Sequence, residues 1–118
     1  MSTNNKTGAE VKTRSQYMAG EVSHDEYYGQ FVTPALIQYV ARTIGADAIR
    51  ASQDKHFNDI PLVRWDQLHG VKDCIKSDLF KAANNTTYAE AYRDKFMWSL
   101  GDQVCIAKAA ARAMRSAA

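Results

Sequence analysis

Apolar residues recur along most of this chain at helical spacing, and no run of useful length alternates as a strand would. From Pro34 to Ile44 the residues Leu36, Ile37, Val40, Ala41 and Ile44 make one continuous stripe, with Gln38 and Arg42 opposite. Thr33 and Pro34 suit the start of that helix, and Gly45 suits a left-handed end. Ala46 to Ser52 continues as a short helical stretch through Ala48, Ile49 and Ala51. Upstream, Ser23-His24-Asp25-Glu26 has the form of a capping box, in which the Ser hydroxyl and Glu carboxylate each take an orphan backbone N–H. It predicts a helix carrying Tyr27, Tyr28 and Phe31 that ends near Val32.

Downstream, Pro61 can open a short helix with Leu62, Trp65 and Leu68 turned to the core, closed by His69-Gly70. Val71 to about Ala83 groups Val71, Cys74, Ile75, Leu79 and Ala82 on one face, and Asn84-Asn85-Thr86 reads as a turn. Thr87-Tyr88-Ala89-Glu90 is a second capping box, opening the longest periodic segment, which runs to about Met114. On one continuous wheel Tyr92, Phe96, Met97, Leu100, Val104, Ala107, Ala111 and Met114 share a core face. Trp98, Cys105 and Ala109 form a second strip that invites a partner or a second copy of the chain. Gly101 costs about 1 kcal/mol relative to Ala within a helix and invites a break or a close crossing. The reading is all-α: a compact bundle of about five helices with one long C-terminal helix. Residues 21–118 form a single helical domain, and residues 1–20, polar and without a sustained period, a flexible N-terminal arm.

A chain of 118 residues with 46% hydrophobic and 24% charged positions can bury a core as one domain. The net charge of +2 is too small to argue for nucleic acid alone. Its distribution adds something: no acid follows Asp102, while Lys108, Arg112 and Arg115 project along one side of the last helix. They are candidates for electrostatic contact. Cys74 and Cys105 lie in separate helical segments and read as buried thiols rather than a redox pair or zinc ligands. No signal-peptide core and no membrane-length apolar run is present, so an intracellular, cytoplasmic protein without a membrane partner is expected.

Catalytic constellations are sparse. His24, His56 and His69 lack metal-ligand spacing, no Gly-rich phosphate loop exists, and neither a metal, a cofactor nor an enzymatic activity is expected. His56 with Asp54 and Asp59 is the best acid–base or metal set, although Asp residues there are better read as fastening a turn. Ala46 to Gln53 could mimic a recognition helix but offers only Arg50, Ser52 and Gln53 as base readers. The stretch that departs most from helical pattern, Asp54 to Leu68, supplies partner-binding candidates His56, Phe57, Asn58 and Asp59. Trp98, from the second strip, is a further anchor candidate.

Tyr27-Tyr28-Gly29-Gln30-Phe31-Val32, His56-Phe57-Asn58-Asp59-Ile60-Pro61-Leu62 and Trp65-Asp66 together resemble the small uncharacterised proteins encoded by bacteriophages and prophages, over about residues 23–69. That resemblance implies the cytoplasm of a bacterial host and stoichiometric binding to a host or phage protein complex, such as a defence system or nucleic-acid-processing machinery. It brings no catalytic residues. The alternative expectation is a nucleic-acid-binding accessory or regulatory protein using the basic C-terminal helix, and a homodimer through that helix is a further expectation.

Overall fold

Ser99-Leu100-Gly101-Asp102 begins the helix around which the others are arranged. The Ser99 hydroxyl accepts from the Asp102 amide at 3.2 Å while the Asp102 carboxylate accepts from the Ser99 amide at 2.9 Å. This reciprocal cap satisfies two donors that a helix start leaves orphaned. The computed structural model describes residues 11–75 and 93–117. In chain order these hold α1 (Arg14–Met18), α2 (His24–Gly29), α3 (Pro34–Val40), a π-helical turn (Ala41–Gly45) and α4 (Ala46–Ala51). Then follow α5 (Leu62–Trp65), α6 (Val71–Cys74), α7 (residues 93–97) and α8 (Leu100–Ala117). No strand occurs among the described residues. The all-α class, with one long C-terminal helix, is as the sequence predicts.

Helices α2 and α3 pack most extensively on α8, joined by α4 and α6. Ile106, Ala107, Ala110 and Ala111 of α8 are fully buried, and the small alanine side chains let neighbouring backbones come close. Against them lie Tyr27 and Phe31 from α2 and the following turn, Leu36 and Val40 from α3, and Ile44 and Ile49 beyond it, all at or below 1% exposure.

The predicted starts of α2 and α3 are found in place. Ser23 and Glu26 form the expected capping box, and Thr33 caps α3 with Pro34 at its first position. Gly45 has φ +103° and ψ 118°, a conformation open to glycine rather than the left-handed cap expected. Its predecessor's carbonyl, at Ile44, leaves the helix ladder and accepts from the Arg64 guanidinium. The positive φ favours glycine, and a Cβ there would stand 3.3 Å from that same guanidinium, which would have to shift slightly.

Four expectations are corrected. Residues 11–20, expected within a flexible arm, belong to the fold: Val11 and Thr13 are 3% exposed, and Thr13 with Gln16 makes a capping box that starts α1. Lys12 exchanges backbone bonds with the Gln30 side chain, tying this segment to α2. Second, the long C-terminal helix is interrupted at Trp98 and Ser99, and the break resets the helical phase. Phe96, Met97 and Leu100 consequently face outward, at 63, 69 and 46% exposure, and Trp98 is buried. Val104, Ala107 and Ala111, downstream of the break, keep the expected core face. Third, Pro61 stays extended, so α5 starts one residue later and turns Leu62 outward while Trp65 and Leu68 are buried. Fourth, α6 stops at Cys74, where Ile75 turns extended. The predicted continuation to Ala83, the Asn84-Asn85-Thr86 turn, the Thr87 to Glu90 capping box and Tyr92 lie outside the described residues.

Candidate functional site

The connector from Asp54 to Pro61 is built by its own carboxylates. Asp54 accepts from the His56 amide through its side chain at 2.8 Å and from the Phe57 amide through its carbonyl at 2.9 Å. Asp59 accepts from the Ser52 hydroxyl and from the Gln53 amide, and these two donors hold its carboxyl below the usual range. Both acids beside His56 are therefore committed to the turn, as the fastening reading expects. His56, Asn58 and Asp59 are exposed, and no cluster of His, Cys, Asp or Glu among the described residues could hold a metal ion.

Phe57 takes the opposite role to the one expected. It is fully buried, with its backbone at φ +60°, a left-handed conformation uncommon for a bulky residue. Its ring lies 5.9 Å from that of Trp65, and the Arg115 guanidinium covers it at 4.2 Å. Arg115 also donates to the Ser52 carbonyl at 3.1 Å. Thus Phe57 is the peg by which the connector is held to α8, and is inaccessible as a partner contact.

The three cations of α8 are engaged within the molecule. Lys108 sits 5.5 Å above the Trp65 ring, Arg112 pairs with Asp25 at 3.5 Å, and Arg115 closes over Phe57. Their shared helix side, legible in the sequence, is the side that meets the fold. Each is half-buried, and together they clamp α5, α2 and the connector to α8.

Trp98 is likewise withdrawn from the surface at 4% exposure. Its ring meets Phe31 edge to face at 4.7 Å, and its Nε1–H points to the Tyr27 hydroxyl at 3.4 Å. Around it, Tyr17 of α1 stacks on Tyr27 at 5.0 Å and stands edge-on to Tyr28 at 5.6 Å. Below these rings is Asp102, 6% exposed, accepting from Tyr28 Oη at 2.7 Å, from Arg14 at 3.1 Å and from Ser99. Burial raises the pKa of this carboxyl, but the donors from Tyr28, Ser99 and Arg14 outweigh it and hold the pKa below the ordinary value. Burial, together with the bond to Asp102, pushes the Tyr28 hydroxyl strongly upward, and burial takes Tyr27 to about 12.

Beside this cluster, α1 and α7 leave an open groove of about 510 Å³ lined by Arg14, Ser15, Met18, Arg93, Asp94 and Met97. Met18 and Met97 are 70 and 69% exposed, the most exposed of the large apolar side chains described. The Asp94 carboxylate turns inward and accepts from the Arg14 amide, which docks α1 against α7. Of the groove residues, the sequence points only to Arg93, as a cation interleaved with aromatic residues. Met97 was assigned to the core by the continuous wheel, and Met18 to the arm. The signals that would have exposed them are Thr13-x-x-Gln16 and Ser99-x-x-Asp102, the caps that start α1 and α8.

Cys74 and Cys105 are not joined in a disulfide, and burial followed by the nearby Asp102 charge raises the Cys105 thiol. No described helix is long and apolar enough to cross a membrane. No family model, curated protein or solved structure matches the chain.

Proposed function

We propose that this protein is a small helical interaction module that binds a surface of another protein and modulates it stoichiometrically, with no catalysis of its own. The observation that carries this reading is the α1–α7 groove, where Met18 and Met97 present large apolar side chains to solvent from two different elements. Methionine thioethers are flexible and polarizable, and suit contact surfaces that repack around a partner. Phe96 and Leu100, at 63 and 46% exposure, extend the apolar character of the α7–α8 junction. By its phage-like phrasing the chain is proposed to act in the cytoplasm of a bacterial host, on a defence or nucleic-acid-processing complex. Nucleic-acid binding through α8 has less support, because Lys108, Arg112 and Arg115 are spent on Trp65, Asp25 and Phe57.

The test is affinity capture from host lysate with the wild-type chain and with Met18→Glu and Met97→Glu, each with and without nuclease. A specific protein retained after nuclease by wild type and lost from both variants supports the reading. Capture that nuclease abolishes, or that ignores both substitutions, overturns it.

A further inference from the structure

Two unfavourable features meet beneath the connector. Phe57 holds φ +60°, a conformation that a bulky residue keeps only while its surroundings impose it. Its ring lies 5.9 Å from that of Trp65, which is fully buried and whose indole Nε1–H has no hydrogen-bond partner among the described residues. A buried donor left unpaired loses its bond to water and gains nothing in exchange.

The bonds of the connector are arranged so that its tip can lift without dismantling the rest. Between Asp54 and Asn58 they are the tip's own, Asp54 taking the His56 and Phe57 amides. The base is closed separately, by Asp59 accepting from the Ser52 hydroxyl and the Gln53 amide. Ser52 is held at the end of α4 and by Arg115, and Ile60 is planted in the core at 6% exposure. Phe57 is the one buried residue of the tip, and its ring, covered by Arg115 at 4.2 Å, is what fastens the tip to the fold. A single backbone bond of the tip reaches past the base, from the Ile60 amide to the Phe57 carbonyl at 3.1 Å.

We infer that residues 54–58 are a strap that opens from the folded molecule, with Phe57 leaving the left-handed region as its ring comes out and water reaching the Trp65 indole. Opening relieves both unfavourable features in one movement and exposes one large ring. The Arg115 guanidinium is the latch, and Asp59 keeps the base shut while the tip is out. Such a step lies well below global unfolding, because it uncovers little apolar surface.

Hydrogen exchange of the full chain, followed by nuclear magnetic resonance at increasing urea below the unfolding transition, tests this, with Trp98→Phe assigning the two indole signals. Corrected for intrinsic rates, the Trp65 indole proton is expected to exchange at least about tenfold faster than the amides of Ile106 and Ala110 in α8, with a shallower dependence on urea, and the Ile60 amide to follow it. Arg115→Ala should speed the Trp65 indole proton and the Ile60 amide by a common factor, and by more than it speeds α8. Lys108 lies over the same indole at 5.5 Å but touches no residue of the strap, so Lys108→Met should leave the ratio of indole to α8 exchange unchanged. A Trp65 indole proton that exchanges only with the α8 amides and with their urea slope overturns the inference. So does an Arg115→Ala effect spread evenly over α8, or a Lys108→Met effect on the indole equal to that of Arg115→Ala.

Discussion

Asp102 is the residue on which most of the polar interior converges. It caps α8, receives Tyr28 and Arg14, and through Arg14 fixes α1. Removing it in Asp102→Ala leaves a buried tyrosine hydroxyl and a half-buried guanidinium without their acceptor. A loss of about 2 to 3 kcal/mol in urea unfolding is expected. The sign of its pH dependence follows from the direction of the shift. Its folded pKa lies below the unfolded value of about 3.9, so the stabilisation is complete above that value and fades as pH falls through the folded one. Wild type and Asp102→Ala should therefore differ at neutral pH and converge below about pH 4. The tyrosines act at the other limit. Tyr27, raised to about 12, and Tyr28, raised further, stabilise the fold until pH climbs past about 10, the unfolded value, so alkaline unfolding should begin there. Arg115 is the second residue with a long reach. Arg115→Ala should cost about 1 kcal/mol and speed amide exchange at residues 54–60, because Phe57 loses the cation that covers its left-handed position.

At the scale of elements, caps decided what the hydrophobic pattern could not. The stripe of α3, the box at Ser23 and the start at Thr33-Pro34 are legible because each is a local signal whose partners lie within one turn. The phase of residues 93–104 was not. A wheel drawn through Trp98 and Ser99 carries Phe96 and Met97 inward, whereas the Ser99–Asp102 cap restarts the helix and leaves them outside. An Asp in the third helical position does what Glu or Gln does in the commoner box, and reading only the latter hid the break. In the connector the local bonds of Asp54 and Asp59 are legible, whereas the burial of Phe57 is not, since its ring packs against Trp65 and beneath Arg115, from distant parts of the chain. The basic stripe shows the same limit: spacing shows which side cations share, and tertiary packing shows what that side faces. Ser99→Ala should cost about 1 kcal/mol in thermal melting. Gly45→Ala should cost about as much or more, since its backbone is strained for alanine and its Cβ crowds Arg64.

For the whole molecule, the arrangement is a helix gripped at both ends. The Asp102 end carries α1, α2 and the aromatic stack, the Arg115 end carries the connector and Trp65, and the groove lies at the first of these. A partner bound there touches α1 and α7, and leaves the connector clamp alone. Each end also contains one of the chain's two tryptophans. Trp98 lies among Phe31 and Tyr27 and Trp65 beside Phe57, both with their rings buried. The protein thus carries an intrinsic fluorophore at each end of its organising helix. Trp65→Phe would leave emission from the groove end alone, and Trp98→Phe emission from the connector end alone. Superimposable denaturation curves from the two variants would mean that α8 transmits cooperativity along its full length, and separated midpoints would show which end lets go first.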